Sequence, residues 1–308
     1  MALLSVVVPC YNEEETVELF YDALINVLKT MDMEYEIIFV NDGSKDSTLE
    51  KMTGLYNKAG GKVKIIDFSR NFGKESAMLA GLREAKGDYV TVMDTDLQDP
   101  PEYLPKMFEV MEKNGDDVVG TRRVTRKGEP KIRSWFARQF YKLINRYTEV
   151  EIVDGARDFR LMKRQVVDSI LSLPEYGRFS KGLFVWVGYK CEYLEYENIK
   201  RVAGETKWSF MKLLRYAMDG IIEYTDMPLW IASWVGGFLT VVMLAVLLVM
   251  LVLALIGKTV TGTALIIAVV LFVGGMILLS TGILGEYLAK TYDEVRRRPN
   301  YIVKKFYE

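Results

Sequence analysis

Tyr89-Val90-Thr91-Val92-Met93-Asp94-Thr95-Asp96-Leu97-Gln98-Asp99-Pro100-Pro101-Glu102 is a strand-like run that ends in an acidic turn and two prolines. Asp94 and Asp96 are separated by one residue, so they share a side of an extended segment and converge on a common point when the chain turns. Carboxylates brought that close repel unless a cation sits between them. Hard oxygen ligands suit Mg2+ or Mn2+, and Mg2+ commonly holds substrate phosphates at the same time. The stretch therefore reads as a metal site for a diphosphate at the carboxyl end of a strand. A solvated acidic turn is the alternative.

Working outward, strand and helix patterns alternate. Residues 4–9 form a continuous apolar run, as expected of a strand covered on both faces. Residues 13–29 carry helical spacing through Val17, Phe20, Leu24 and Leu28. Residues 35–40 and 63–68 read as further strands, and 46–56 as a helix with Asp46 or Ser44 as its N-cap. Residues 73–85 and 103–113 read as helices around the 89–93 strand, and a fifth strand begins at 117. Such alternation predicts an α/β fold with a parallel, doubly wound sheet, whose ligands bind past the carboxyl ends of the strands.

Those ends are polar: Pro9-Cys10-Tyr11-Asn12-Glu13, Asn41-Asp42-Gly43-Ser44, Ser69-Arg70-Asn71-Phe72-Gly73-Lys74, and the Asp94/Asp96 stretch. Asp42 also suits a simple turn, and Tyr11 a packed aromatic. No GxGxxG follows the first strand and no GxxxxGK[ST] is present, so a diphosphate must rely on metal and basic side chains.

Composition narrows the chemistry. The 308 residues include 40 Lys and Arg against 41 Asp and Glu, which gives no argument for nucleic acid. There is no histidine, so any acid–base work falls to Asp, Glu, Lys or Tyr. Cys10 and Cys191 lack metal-site spacing and fit a reducing compartment. The first residues lack a signal-peptide pattern, so the N-terminal domain is expected in the cytosol.

Residues 122–138 are basic, with Arg122, Arg123, Arg126, Lys127, Lys131, Arg133 and Arg138 against Glu129 alone. They read as an anion site, because arginine forks suit phosphate, or as a solvated helix face. Residues 209–225 pattern as an amphipathic helix, on the bilayer surface or docked on the soluble domain. Residues 227–257 and 259–285 contain no charge, and each exceeds the roughly 20 residues that span a bilayer. The tail carries Lys290, Arg296, Arg297, Arg298, Lys304 and Lys305, which places it on the cytosolic side. The expected organisation is a cytosolic domain over 1–208, an interface helix over 209–226, a two-helix transmembrane hairpin over 227–285 (about 229–256 and 263–285), and a basic tail over 286–308.

Pro9-x-Tyr11-Asn12-Glu13, Asn41-Asp42-Gly43-Ser44, Arg70-Asn71-x-Gly73-Lys74, Asp94-x-Asp96-Leu97-Gln98-Asp99-Pro100-Pro101-Glu102 and Arg201-x-x-Gly204-x-Thr206-Lys207 together resemble glycosyltransferase family 2. More narrowly the set is similar to the polyprenyl-phosphate glycosyltransferases, among them bactoprenol glucosyltransferases and dolichyl-phosphate mannose synthases. The resemblance implies a GT-A fold, Rossmann-like with a mostly parallel sheet. It implies inverting, metal-dependent transfer of one sugar from a nucleotide sugar, a UDP-hexose, to undecaprenyl phosphate at the cytosolic face of the plasma membrane. It implies that Pro9, Tyr11, Glu13, Asp42, Arg70, Lys74 and Asp94 meet the nucleotide sugar. By the same resemblance Asp94, Asp96 and Gln98 surround Mg2+ or Mn2+, and Arg122, Arg138, Arg201 and Lys207 meet the acceptor phosphate. Asp158 matches the residue taken as catalytic base in relatives, with Asp96 the second catalytic carboxylate. Self-association is left open. No Gln-x-x-Arg-Trp occurs and only two spans are present, which favours a single-sugar transfer over polymer synthesis. A degenerate membrane-anchored scaffold is the alternative, and the intact Asp94, Asp96 and Gln98 argue against it. A transporter is disfavoured because neither span carries a charge.

Overall fold

The computed structural model describes residues 2–124, 145–146, 152–197, 218, 220–222, 224–256 and 262–308. They form two compact units, Met1–Ala217 with Arg298–Glu308, and Met218–Arg297.

The first unit begins with β1 (Leu3–Cys10), α1 (Val17–Leu28), β2 (Glu34–Asn41), α2 (Thr48–Lys58), β3 (Val63–Phe68), α3 (Lys74–Glu84) and β4 (Tyr89–Val92). It continues with α4 (Tyr103–Asn114), β5 (Val118–Arg123), β6 (Ala156–Lys163), α5 (Arg164–Ser172), α6 (Ser180–Trp186) and β7 (Cys191–Tyr196), and closes with β8 (Val303–Tyr307). One eight-stranded sheet runs β7-β5-β6-β4-β1-β2-β3-β8.

The four strands read first are parallel neighbours: β1 pairs with β2 and β4, and β2 with β3. Their apolar runs are covered on both sides. Leu4, Val6 and Val8 pack with Phe20 and Leu24 of α1, Met52 of α2 and Leu104 of α4. Val7 points the other way and packs with Ala77 and Met78 of α3 and Val166 of α5. Alternate residues of one strand thus feed two cores, which is why the strand reads as unbroken apolar sequence. Gly81 lets α3 lie close on β1: a Cβ there would stand 2.2 Å from Val7 Cγ1.

The sheet is mostly parallel, as expected of a GT-A fold, with β6 running antiparallel to β4 and β5, and β8 antiparallel to β3. Two features correct the sequence reading. Helix α1 starts at Val17 instead of 13, after a turn in which the Val17 N–H donates to the Glu13 carbonyl at 3.0 Å and the Glu13 N–H to Thr48 Oγ1 at 2.7 Å. Ser47 occupies the N-cap of α2, while Asp46 accepts from the Thr48 N–H at 3.1 Å, one position upstream.

The segment read as a tail is also structured. Its first part continues the second apolar helix, because neither Gly nor Pro interrupts 286–298. Its last part is β8, whose Tyr307 meets Tyr56 edge-on at 5.9 Å between ring centroids.

The second unit holds α7 (Met227–Leu255) and α8 (Thr263–Arg296). Within them Met227–Leu253 and Phe272–Arg296 are long and apolar enough to cross a membrane. Trp230, Trp234, Phe238 and Leu248 stand exposed on α7, as do Phe272 and Leu278 on α8. The Tyr287 hydroxyl donates to the Thr225 carbonyl at 2.6 Å. Of the expected interface helix over 209–226, only Met218, Gly220–Ile222 and 224–226 are described.

Candidate active site

The carboxyl ends of β1, β2 and β4, with the start of α3, open into one cleft. Pro9, Tyr11 and Glu13 line it from β1, Asp42 from β2, Asn71, Gly73 and Lys74 from the β3–α3 connection, and Asp94 and Asp96 from β4. Six of the seven residues expected at a nucleotide sugar are therefore brought together. Arg70, the seventh, is not among the lining residues; its guanidinium lies 4.0 Å over the Phe72 ring.

The loops are laced before any ligand is considered. The Asn12 N–H donates to Ser44 Oγ at 2.9 Å, and the Lys45 N–H to Asn12 Oδ1 at 2.9 Å. Asp42 is buried and accepts from the N–H groups of Phe72 at 2.6 Å and Gly73 at 3.0 Å. Burial pushes its carboxyl up to about 6, against those two hydrogen bonds. Gly43 has φ +64° and a Cβ there would stand 2.3 Å from the Arg70 carbonyl carbon, so only glycine lets the β2 turn approach this loop. Asp42 is thus more than a turn former: it anchors the loop that follows β3.

At the centre, Lys74 Nζ lies 2.8 Å from Asp94 and 2.6 Å from Asp158. Lys74 joins Asp94 to Asp158 on β6, a pairing distinct from the Asp94/Asp96 pair expected to hold a metal. Burial pulls the Lys74 ammonium down, but Asp158 and Asp94 outweigh it and hold its pKa above the usual range. Burial likewise pushes Asp158 up, yet Lys74, Lys181 and Arg157 together hold it well below the ordinary carboxylate range. Asp94 is pushed up, chiefly by burial, with Asp158 and Asp96 adding and Lys74 opposing. The cationic neighbours of Asp158 thus favour its ionised form.

Asp96 Oδ1 accepts from the Gln98 N–H at 3.1 Å, across Leu97 at φ +53°. The turn makes Gln98 a backbone support for Asp96. Among the described residues no group of three or more acidic or cysteine side chains gathers to hold a metal. Asp94 and Asp96 supply two carboxylates on one cleft wall, which fits a hard cation that fills its remaining positions with water and substrate phosphate.

The sequence reading missed two further groups. Asp99 is buried, accepts from Arg157 Nε at 2.9 Å and from the Tyr196 hydroxyl, and so ties the turn after β4 to β6 and β7. Glu75 accepts from the Ser180 N–H at 3.2 Å and from its hydroxyl, and burial pushes its carboxyl up to about 7. Asp99 stood inside the quoted motif, but its partners lie 58 and 97 residues away along the chain. Arg122 donates to the Asp154 carbonyl at 3.1 Å and lies 3.5 Å from Glu195; it does not line the cleft. Arg138, Arg201 and Lys207 lie outside the described residues.

Residues 5–171 match the family model described as glycosyl transferase family 2. The chain belongs to that family. Relatives match over nearly the whole length. An uncharacterized glycosyltransferase of Synechocystis sp. is 42% identical, over 97% of this chain and 94% of that one. The bactoprenol glucosyl transferase of Shigella phage SfII is 39% identical, over 98% of this chain and 97% of its own. The prophage bactoprenol glucosyl transferase homolog of Escherichia coli is 38% identical, over 98% of both. Among solved structures, mannosyl-3-phosphoglycerate synthase from Rubrobacter xylanophilus aligns with a TM-score of 0.51 at 19% identity, over 71% of this chain and 72% of that one. That likeness concerns the fold. This family-2 glycosyltransferase therefore has a GT-A-like, mostly parallel sheet, followed by two apolar helices.

Proposed function

We propose that this glycosyltransferase moves one hexose from a UDP-sugar to a polyprenyl phosphate, with inversion, at the cytosolic face of the plasma membrane. The observation that carries the reading is the cleft in which Asp94 and Asp96 meet the Lys74–Asp158 pair at the strand ends. Similarity to bactoprenol glucosyl transferases over nearly the full length supports the lipid acceptor.

Asp94 and Asp96 would hold Mg2+ or Mn2+, with Gln98 supporting Asp96. The ion's contribution is to offset charge on the departing diphosphate. Pro9, Tyr11, Glu13 and Asp42 form the wall for the nucleoside. Lys74, fixed by Asp158, adds a positive charge beside the diphosphate. In the transfer the bond from the anomeric carbon to the donor phosphate oxygen breaks, and a bond to an acceptor phosphate oxygen forms from the opposite side. A phosphate monoester has its second pKa near 6, so the acceptor is largely a dianion at pH 7 and needs no base. Asp158 is therefore assigned to holding Lys74, and not to removing a proton. Arg122, Arg138, Arg201 and Lys207 are proposed for the acceptor phosphate, because paired arginine and lysine suit a doubly charged phosphate.

The membrane reading rests on α7 and α8. Because β8 belongs to the same sheet as β1, the chain must cross the membrane an even number of times between them. Reporters fused before Met1 and after Glu308 should read the same, cytosolic side; opposite sides would sink the hairpin. For the reaction, full-length protein is incubated with a panel of nucleotide sugars and release of the nucleoside diphosphate is followed. Release should accelerate when polyprenyl phosphate is added, and most with a UDP-hexose. Release indifferent to the lipid with every donor contradicts the proposal.

A further inference from the structure

The connection 69–73 supplies Asn71 and Gly73 to the cleft and leads into Lys74. On its inner side it hangs from Asp42 through the Phe72 and Gly73 N–H groups. Its outer side is held by residues from the far end of the chain, just past α8. The Ser69 N–H donates to the Ile302 carbonyl at 3.0 Å. The Tyr301 ring stacks on Phe68, with centroids 5.0 Å apart and planes 12° from parallel. Phe68 meets Phe72 edge-on at 5.8 Å, and Phe72 carries the guanidinium of Arg70. Arg83 of α3 reaches the Tyr301 hydroxyl at 3.4 Å. Asn300 Nδ2 donates to the Tyr176 carbonyl at 2.8 Å, on the segment that leads to Ser180 and its partner Glu75.

Stacked aromatic pairs hold their geometry because the ring quadrupoles favour offset and edge-on arrangements over free rotation. The series Tyr301–Phe68–Phe72 therefore transmits the position of the C-terminal segment to the backbone that Asp42 grips. A loop fixed from both sides loses less freedom when a ligand closes on it.

We propose that residues 300–302 are part of the donor site, and that Tyr301 is a positioning residue that sets affinity for the nucleoside diphosphate through the 69–73 loop. This rests on the donor cleft assigned under the proposed function. It makes the end of the chain a working part of the site: the strand that returns from the second apolar helix braces the loop on which the donor lies.

The test uses full-length protein in detergent and measures Kd for UDP by calorimetry, with GDP and dTDP alongside, together with KM and kcat for transfer. Tyr301→Ala is expected to weaken UDP binding about tenfold, ~1.4 kcal/mol, and to raise donor KM by a similar factor with kcat within about twofold. Tyr301→Phe keeps the stack and should restore both values to within about twofold of wild type. Should Tyr301→Ala fail to fold, Tyr301→Leu keeps volume without the stack and carries the same expectation. A lowered melting temperature with unchanged Kd and KM overturns the inference, because Tyr301 is then only structural. A loss confined to kcat overturns it as well. A wild type that binds none of the three diphosphates overturns the donor reading itself, and this inference with it.

Discussion

Phe20 in α1 and Trp234 in α7 are both large apolar side chains on helices, and water treats them in opposite ways. Phe20, like Val7 and Ile38, is fully buried against the sheet, whereas Trp234 is 73% exposed. Leu255 and Leu278 of the two long helices are exposed to 78% and 74%. The first unit buries most of its described apolar residues internally, with exceptions such as Leu19 and Trp186. The second presents its apolar residues outward along helices long enough to cross a bilayer. Under the proposed function, the first unit takes the nucleotide sugar and the second anchors it beside the lipid acceptor.

Two substitutions sharpen that contrast. Phe20→Ala should lower the unfolding free energy of the sheet unit by ~3–5 kcal/mol, the cost of an emptied core site. Trp234→Ala should leave the same transition within about 0.5 kcal/mol. Denaturant unfolding in detergent, followed on the sheet unit, measures both. Equal losses would mean that α7 packs as an ordinary soluble helix.

Chemistry inside the sheet unit should separate in the same way. Lys74→Ala should cost transfer about a hundredfold to a thousandfold, since it removes the charge joining Asp94 to Asp158. Asp158→Asn should cost less, about tenfold, ~1.4 kcal/mol, because the acceptor phosphate ionises without help. In both wild type and Asp158→Asn, the rate should rise with pH through about 6, as the acceptor loses its second proton. A loss of about a hundredfold or more in Asp158→Asn that is recovered as pH rises through about 6, with no such rise in wild type, would restore Asp158 as a base.

The legible part of the fold follows from burial. Strands β1 to β3 are covered on both faces: β1 is a nearly continuous apolar run, β2 and β3 keep short apolar runs beside the paired Glu36 and Lys64, and the cleft residues at their ends stand next to recognisable strands. Strand β6 is harder to read. Its sequence, ARDFRLMK, sets charged residues in the sheet, and Arg160 is buried with its guanidinium 3.9 Å over the Phe184 ring. Strand β8 is VKKFY, and lysines on an edge strand look like a solvated tail because they guard the edge against pairing. The site divides along similar lines. Asp94 and Asp96 announce themselves by spacing. The Lys74–Asp158 contact spans 84 residues of chain, and no local pattern encodes it. The stack of Tyr301 on Phe68, beside the 69–73 loop, is invisible for the same reason.

The most direct measurement is the mass of the lipid after full-length protein has met a UDP-hexose, polyprenyl phosphate and Mg2+ or Mn2+. Wild type should add one hexose to the lipid phosphate, in the inverted configuration. Asp96→Ala, folded but short of one carboxylate toward the cation, should add none, and excess chelator should stop the wild type. An unmodified lipid with wild type, a chain of several hexoses, or transfer that survives both Asp96→Ala and chelator would contradict the account.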